Sequence, residues 1–202
     1  MVDSYKTITS LSEGIYKEKG SKFVSFAVPV QDIVEISTII KEYKKTYFDA
    51  RHVCYAYMLG AERLDFRTYD DSEPSGTAGR PILGQINSRE LTNVLVIVVR
   101  YFGGVLLGTS GLALAYKEAA SDALAQTEII EKSIIEIFDL HFDYLLLNDI
   151  MKIIKDNNIE VLKQKFDNQC YMQISIPKKE LQIILSKFDK IFGLHVKNPI
   201  KE

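Results

Sequence analysis

Leu91-Thr92-Asn93-Val94-Leu95-Val96-Ile97-Val98-Val99-Arg100-Tyr101-Phe102-Gly103-Gly104-Val105-Leu106-Leu107-Gly108-Thr109-Ser110-Gly111 decides how the N-terminal part of the chain folds. Leu91 to Arg100 is apolar at odd and even positions alike, so it reads as a central strand covered on both faces. Tyr101 to Gly111 is too rich in glycine to continue that strand. A helix from about Ser110 to Gln126 follows, with Leu112, Ala115, Tyr116, Ala119, Ala120, Ala123 and Leu124 as its buried stripe.

Upstream, β-branched and aromatic residues from Tyr5 to Val30, broken at Gly14 and Gly20, predict a meander of two or three strands. Asp32 caps a following helix, Glu35 closes a capping-box variant, and Ile33, Ile36, Ile40 and Tyr43 share one face. Arg51 to Leu59 reads as a strand, with Val53, Tyr55, Tyr57 and Leu59 opposite His52, Cys54, Ala56 and Met58. From Asp65 to Pro81 the pattern breaks and an ordered loop is expected. Within it, Pro74 and Pro81 bias Glu73 and Arg80 toward extended backbone.

Downstream of Thr127 the rhythm changes. Residues 133–142, 158–166, 169–177 and 194–198 read as strands, and 143–157 and 178–192 as helices. The order βαββαβ is the ferredoxin-like split. Cys170, Met172, Ile174 and Ile176 alternate with Tyr171, Gln173 and Ser175, as a sheet with one covered face requires. The expected class is α+β with two domains, 1–130 and 131–202, and no Pro, Gly or Ser run between them.

With 202 residues and 47% hydrophobic side chains, the chain can bury a substantial core, which excludes intrinsic disorder. Its formal net charge is −2, so any nucleic-acid contact must come from a local patch. Cys54 and Cys170 form no CxxC pair, which leaves neither a disulfide framework nor a zinc finger. Met1 to Lys6 has no apolar leader core, and Val94 to Val99 is the longest solid apolar run. A cytoplasmic protein with no membrane partner is expected.

All six arginines, Arg51, Arg63, Arg67, Arg80, Arg89 and Arg100, lie between residues 51 and 100, where no lysine occurs. Arginine supplies a planar, forked donor for carboxylate or phosphate. Six acids, Glu62, Asp65, Asp70, Asp71, Glu73 and Glu90, share the same window. An internal arginine–carboxylate network and a ligand surface are both open readings.

Asp70, Asp71 and Glu73 on one turn are candidate oxygen ligands for Mg2+. Ser75-Gly76-Thr77-Ala78-Gly79 offers unobstructed amides, a candidate anion nest beside Arg80. Gly103, Gly104, Gly108, Thr109 and Ser110 stand between a central strand and a helix N-terminus, where amides and the helix dipole attract phosphate. This is not a Walker loop, because Thr109 occupies the place of the phosphate-contacting lysine. The alternative is architectural: the glycines allow close packing and Thr109 or Ser110 caps the helix. His52 and Cys54 share a strand face, which makes a Cys–His pair conceivable, and Asp70 or Asp71 could orient His52. A buried thiol beside a structural histidine is the competing account.

Asp70 through Pro81, Val99 through Gly104 and Leu107-Gly108 together resemble the IMPACT family, including its bacterial YigZ branch. Arg51-His52-Val53-Cys54-Tyr55-Ala56 is similar to a third segment of that family. The resemblance implies an N-terminal domain of the ribosomal protein S5 domain 2-like type and a ferredoxin-like C-terminal domain similar to domain V of elongation factor G. It further implies a translation-associated regulatory protein that presents Arg51, His52, Arg80, Arg100, Tyr101 and the loops between them to RNA, ribosome or a protein partner. Many relatives carry a lysine where this chain has Leu106 and an arginine where it has Leu114. Leu107 to Ala113 also loosely resembles the phosphate loop of galactokinase-type kinases. The leading expectation is a non-enzymatic protein that needs no cofactor and recognises no specific DNA. The alternative is a small-molecule phosphate-ligand binder or Mg-dependent enzyme of the S5-like superfamily.

Overall fold

A computed structural model describes residues 2–167 and 169–199. It divides into two compact units, Val2–Lys132 and a second beginning at Ser133.

In the first unit, β2 (Ser12–Glu18), β3 (Ser21–Pro29), β4 (His52–Leu59), β5 (Asp65–Tyr69) and β6 (Val94–Tyr101) form an antiparallel sheet ordered β2-β3-β6-β4-β5. β6 is central and buried on both faces, because its odd and even residues are equally apolar. Val94, Val96 and Val98 join Ile82, Leu112 and Tyr116 in one core, while Leu95, Ile97 and Val99 join Ile36 and Phe26 in another. The first core is covered by α2 (Gly79–Ser88) and α3 (Gly108–Ala125), the second by α1 (Ile33–Thr46). The seven stripe residues of α3 are all buried. β1 (Ser4–Ile8) and β7 (Ile129–Ser133) form a separate two-stranded sheet.

Several expectations are corrected. The loop expected over 65–81 shrinks to residues 70–78, since β5 precedes it and α2 begins at Gly79. β5 is an edge strand whose Asp65, Phe66 and Arg67 are exposed, so it carries no apolar alternation. Pro81 stands in the first turn of α2, where a missing N–H breaks no helical bond, and Arg80 is helical rather than extended. α3 starts at Gly108 without a side-chain cap, so Thr109 and Ser110 lie inside its first turn. Asp32 caps α1 as expected, but Glu35 accepts from the Gln31 amide instead of closing back on Asp32. Ile33 is exposed; Ile36 holds the buried position with Ile40 and Tyr43 packed beside it.

In the second unit, β8 (Ile135–Phe142), β9 (Glu160–Phe166), β10 (Cys170–Pro177) and β11 (His195–Lys197) form an antiparallel sheet ordered β11-β8-β10-β9. α4 (Leu147–Asp156) and α5 (Leu181–Phe188) supply Ile150, Ile154, Ile184 and Phe188 to the core that Cys170, Met172, Ile174 and Ile176 build from β10. The architecture is α+β. Among the described residues, no helix is long and apolar enough to cross a membrane.

Candidate functional site

Register brings the first residues together. Arg100, near the end of β6, lies opposite His52 at the start of β4 and opposite Phe23 on β3. Its guanidinium sits 5.5 Å from the ring centres of both Phe23 and Phe102. Arg100 is only 5% exposed, and its Nη1 donates to Glu73 Oε1 at 2.5 Å. The Tyr116 hydroxyl, rising from α3, donates to the same oxygen at 2.9 Å. His52 Nδ1–H donates to the Asp71 carbonyl at 2.6 Å, which leaves Nε2 3.8 Å from Glu73 Oε1. Arg100 Nε is buried and has no hydrogen-bond partner among the described residues. An unmet donor of this kind costs about 1–3 kcal/mol.

Cys54 does not pair with His52. Its thiol donates to the Asp70 carbonyl at 3.1 Å and lies 3.4 Å from the Tyr116 hydroxyl. Burial pushes that thiol well above its ordinary pKa, although the Tyr116 hydrogen bond acts the other way. Burial thus disfavours a thiolate at this position.

The acidic turn does not gather its carboxylates around one point. Asp70 accepts amide bonds from Gly76 at 2.9 Å, Ala78 at 3.0 Å and Gly79 at 2.8 Å. It fills from within the nest that the sequence offers to an outside anion. Burial opposes its ionisation, but the amides of Gly76, Gly79 and Ala78, helped by Arg80, outweigh that and hold the carboxyl below its usual range. Asp71 accepts from the Val53 amide at 2.7 Å and the Tyr69 hydroxyl at 3.1 Å, while Glu73 faces Arg100. It is the Asp71 carbonyl, not a carboxylate, that orients His52. Among the described residues, no group of three His, Cys, Asp or Glu side chains is placed to hold a metal ion.

A cleft of about 390 Å³ opens where these elements meet, lined by Arg51, His52, Glu73, Arg100, Phe102 and Leu106. Arg51 is exposed at this cleft, and Leu106 is 83% exposed. Of the residues singled out in the sequence, Arg51, His52, Glu73 and Arg100 thus come together. The others do not line the cleft. Asp70, Ser75, Gly76 and Thr77 belong to the self-contained loop, and the Arg80 side chain lies against Gly76. Tyr101 turns to the opposite face and bonds Asp49 at 3.2 Å. Gly103 lies so close to the Gly20–Ser21 backbone that a Cβ there would fall 1.9 Å from Gly20 carbon, so it is a packing glycine. Gly104, Gly108, Thr109 and Ser110 are exposed around the start of α3.

Phe102, Leu106 and the Tyr116 hydroxyl are the residues that sequence reasoning overlooked. Strand alternation puts Phe102 on the side of Arg100, a usable signal; Leu106 is marked in the sequence only as standing where many relatives carry a lysine. Of the six arginines, only Arg100 pairs with a carboxylate among the described residues. The internal network is therefore local to one pair and does not span the loop.

The Impact N-terminal domain family matches residues 19–124. The IMPACT family member YvyE of Bacillus subtilis is 29% identical over 180 residues, 89% of this chain and 83% of that protein. The IMPACT family member YigZ of Escherichia coli is 29% identical over 163 residues, 79% of each chain. A crystal structure of a hypothetical protein superposes with a TM-score of 0.73 over 100% of both chains at 24% identity, a likeness of fold. The family match spans over half of the chain and contains every residue that lines the cleft: the chain belongs to the IMPACT family.

Proposed function

We propose that the protein is a translation-associated regulator that binds RNA, with the ribosome as its natural target, through the face built from residues 51–104 of the first unit. The carrying observation is the cleft in which exposed Arg51, buried Arg100 and half-exposed Phe102 converge. A cation for phosphate beside an aromatic ring for a base is the pairing that single-stranded nucleic acid requires. The net charge of −2 supports a contact confined to such a patch.

Membership of the IMPACT family supports the translation-related setting. The run of three strands, a helix and further strands in the first unit supports an S5 domain 2-like assignment. In the second unit, the fourth, first, third and second strands lie side by side, which supports a ferredoxin-like domain similar to domain V of elongation factor G. The Mg-dependent alternative loses support because Asp70, Asp71 and Glu73 each bond protein partners.

Co-sedimentation with ribosomes and gel shift of unstructured RNA at low salt test the reading, since phosphate contacts are strongest there. Arg51→Ala is expected to weaken binding several-fold and to lower the salt dependence by about one phosphate contact. Failure of the wild-type protein in both assays rejects the reading.

A further inference from the structure

We infer that the cleft holds a single nucleotide of single-stranded RNA, base inward against the Arg100–Glu73 pair and phosphate outward on Arg51. The inference rests on the RNA-binding reading above and specifies what enters the cleft. Its floor is electrically neutral, because Arg100 and Glu73 cancel, yet it is not saturated. Both hydrogen bonds to Glu73 land on Oε1, and among the described residues none uses Oε2. Among the described residues, Arg100 donates only through Nη1, so Nη2 is unused there and Nε is buried without a partner.

The cleft therefore offers the unused Glu73 Oε2 as an acceptor and Arg100 Nη2 as a donor, with His52 Nε2 lining the same cleft. A phosphate seated there would meet the Glu73 carboxylate and be repelled. An apolar side chain would leave both polar ends unmet. The edge of a nucleobase carries an acceptor and an N–H donor side by side in one plane, which matches both. Phe102, 47% exposed and beside the guanidinium, supplies a ring for the base to stack on. Arg51 supplies the exposed cation for the attached phosphate. A space of about 390 Å³ accommodates one nucleotide rather than a strand.

The test is fluorescence anisotropy with three probes: an oligouridylate hexamer, an abasic ribose–phosphate hexamer of equal charge, and uridine monophosphate. The wild-type protein is expected to bind the uridylate hexamer at least about ten-fold more tightly than either of the others. Phe102→Leu should lose roughly ten-fold for the uridylate hexamer and nothing for the abasic one, while Phe102→Trp keeps the affinity. Arg51→Ala should weaken both hexamers alike. Equal affinity for the base-bearing and abasic hexamers overturns the inference and leaves the RNA reading standing as backbone binding. Uridine monophosphate binding as tightly as the hexamer also overturns it, in favour of a free nucleotide. Binding of neither hexamer removes the RNA reading and the inference together. An unchanged melting temperature confirms that the Phe102 variants are folded.

Discussion

The two loops of the first unit that look equally suited to phosphate in the sequence have opposite fates. Residues 70–78 turn inward: Asp70 consumes the amides of Gly76, Ala78 and Gly79, so the nest is closed by the chain's own carboxylate. The stretch from Phe102 to Leu107 turns outward, with Phe102, Val105 and Leu106 exposed and the cleft beside it. A glycine-rich loop next to charge is thus either a structural clamp or a recognition element. What separates the two is whether a local side chain reaches the amides first.

Substitutions at four positions test that contrast. Asp70→Ala removes three charge-assisted bonds at once and is expected to cost about 3 kcal/mol in urea unfolding at neutral pH, with Asp70→Asn losing somewhat less. The same residue sets an acid limb. Its folded pKa lies below the ordinary value of 3.8, so its stabilisation is full above that value and is lost as pH falls through the lower folded value. The gap between wild type and Asp70→Asn should therefore shrink on acidification; a constant gap would contradict the clamp.

Gly103→Ala would drive a Cβ into the Gly20 and Ser21 backbone and is expected to cost about 2 kcal/mol, which locates the architectural root of the outward loop. Tyr116→Phe removes the hydroxyl shared by Glu73 and Cys54 and should cost about 1.5 kcal/mol, read from the same denaturation curves. Leu106→Ala, at an 83% exposed position, should change stability by less than about 0.5 kcal/mol. If Leu106→Ala destabilised the protein as much as Asp70→Ala, the contrast between the loops would collapse.

Much of the fold is legible in the residues. β6 announces its central place because Val94 to Val99 leaves no polar face, and α3 announces its buried stripe by helical spacing. α2 escapes because Gly79-Arg80-Pro81 opens it with residues that usually break helices, and β5 escapes because an exposed edge strand has no inward face to mark it. The site is legible only in part. Arg51, His52, Glu73 and Arg100 stand out by residue type, whereas Leu106 and the Tyr116 hydroxyl do not.

By itself the sequence determined most of the strands and helices and which of their faces are buried, since hydrophobic burial follows periods of two and 3.6 residues that neighbours along the chain reveal. The tertiary structure alone decided which polar groups would be consumed and which left open. Glu73 meets Arg100 and Tyr116 across separations of 27 and 43 residues. Hydrogen bonding is short-ranged in space but indifferent to distance along the chain, so no local pattern foretells partners that far apart.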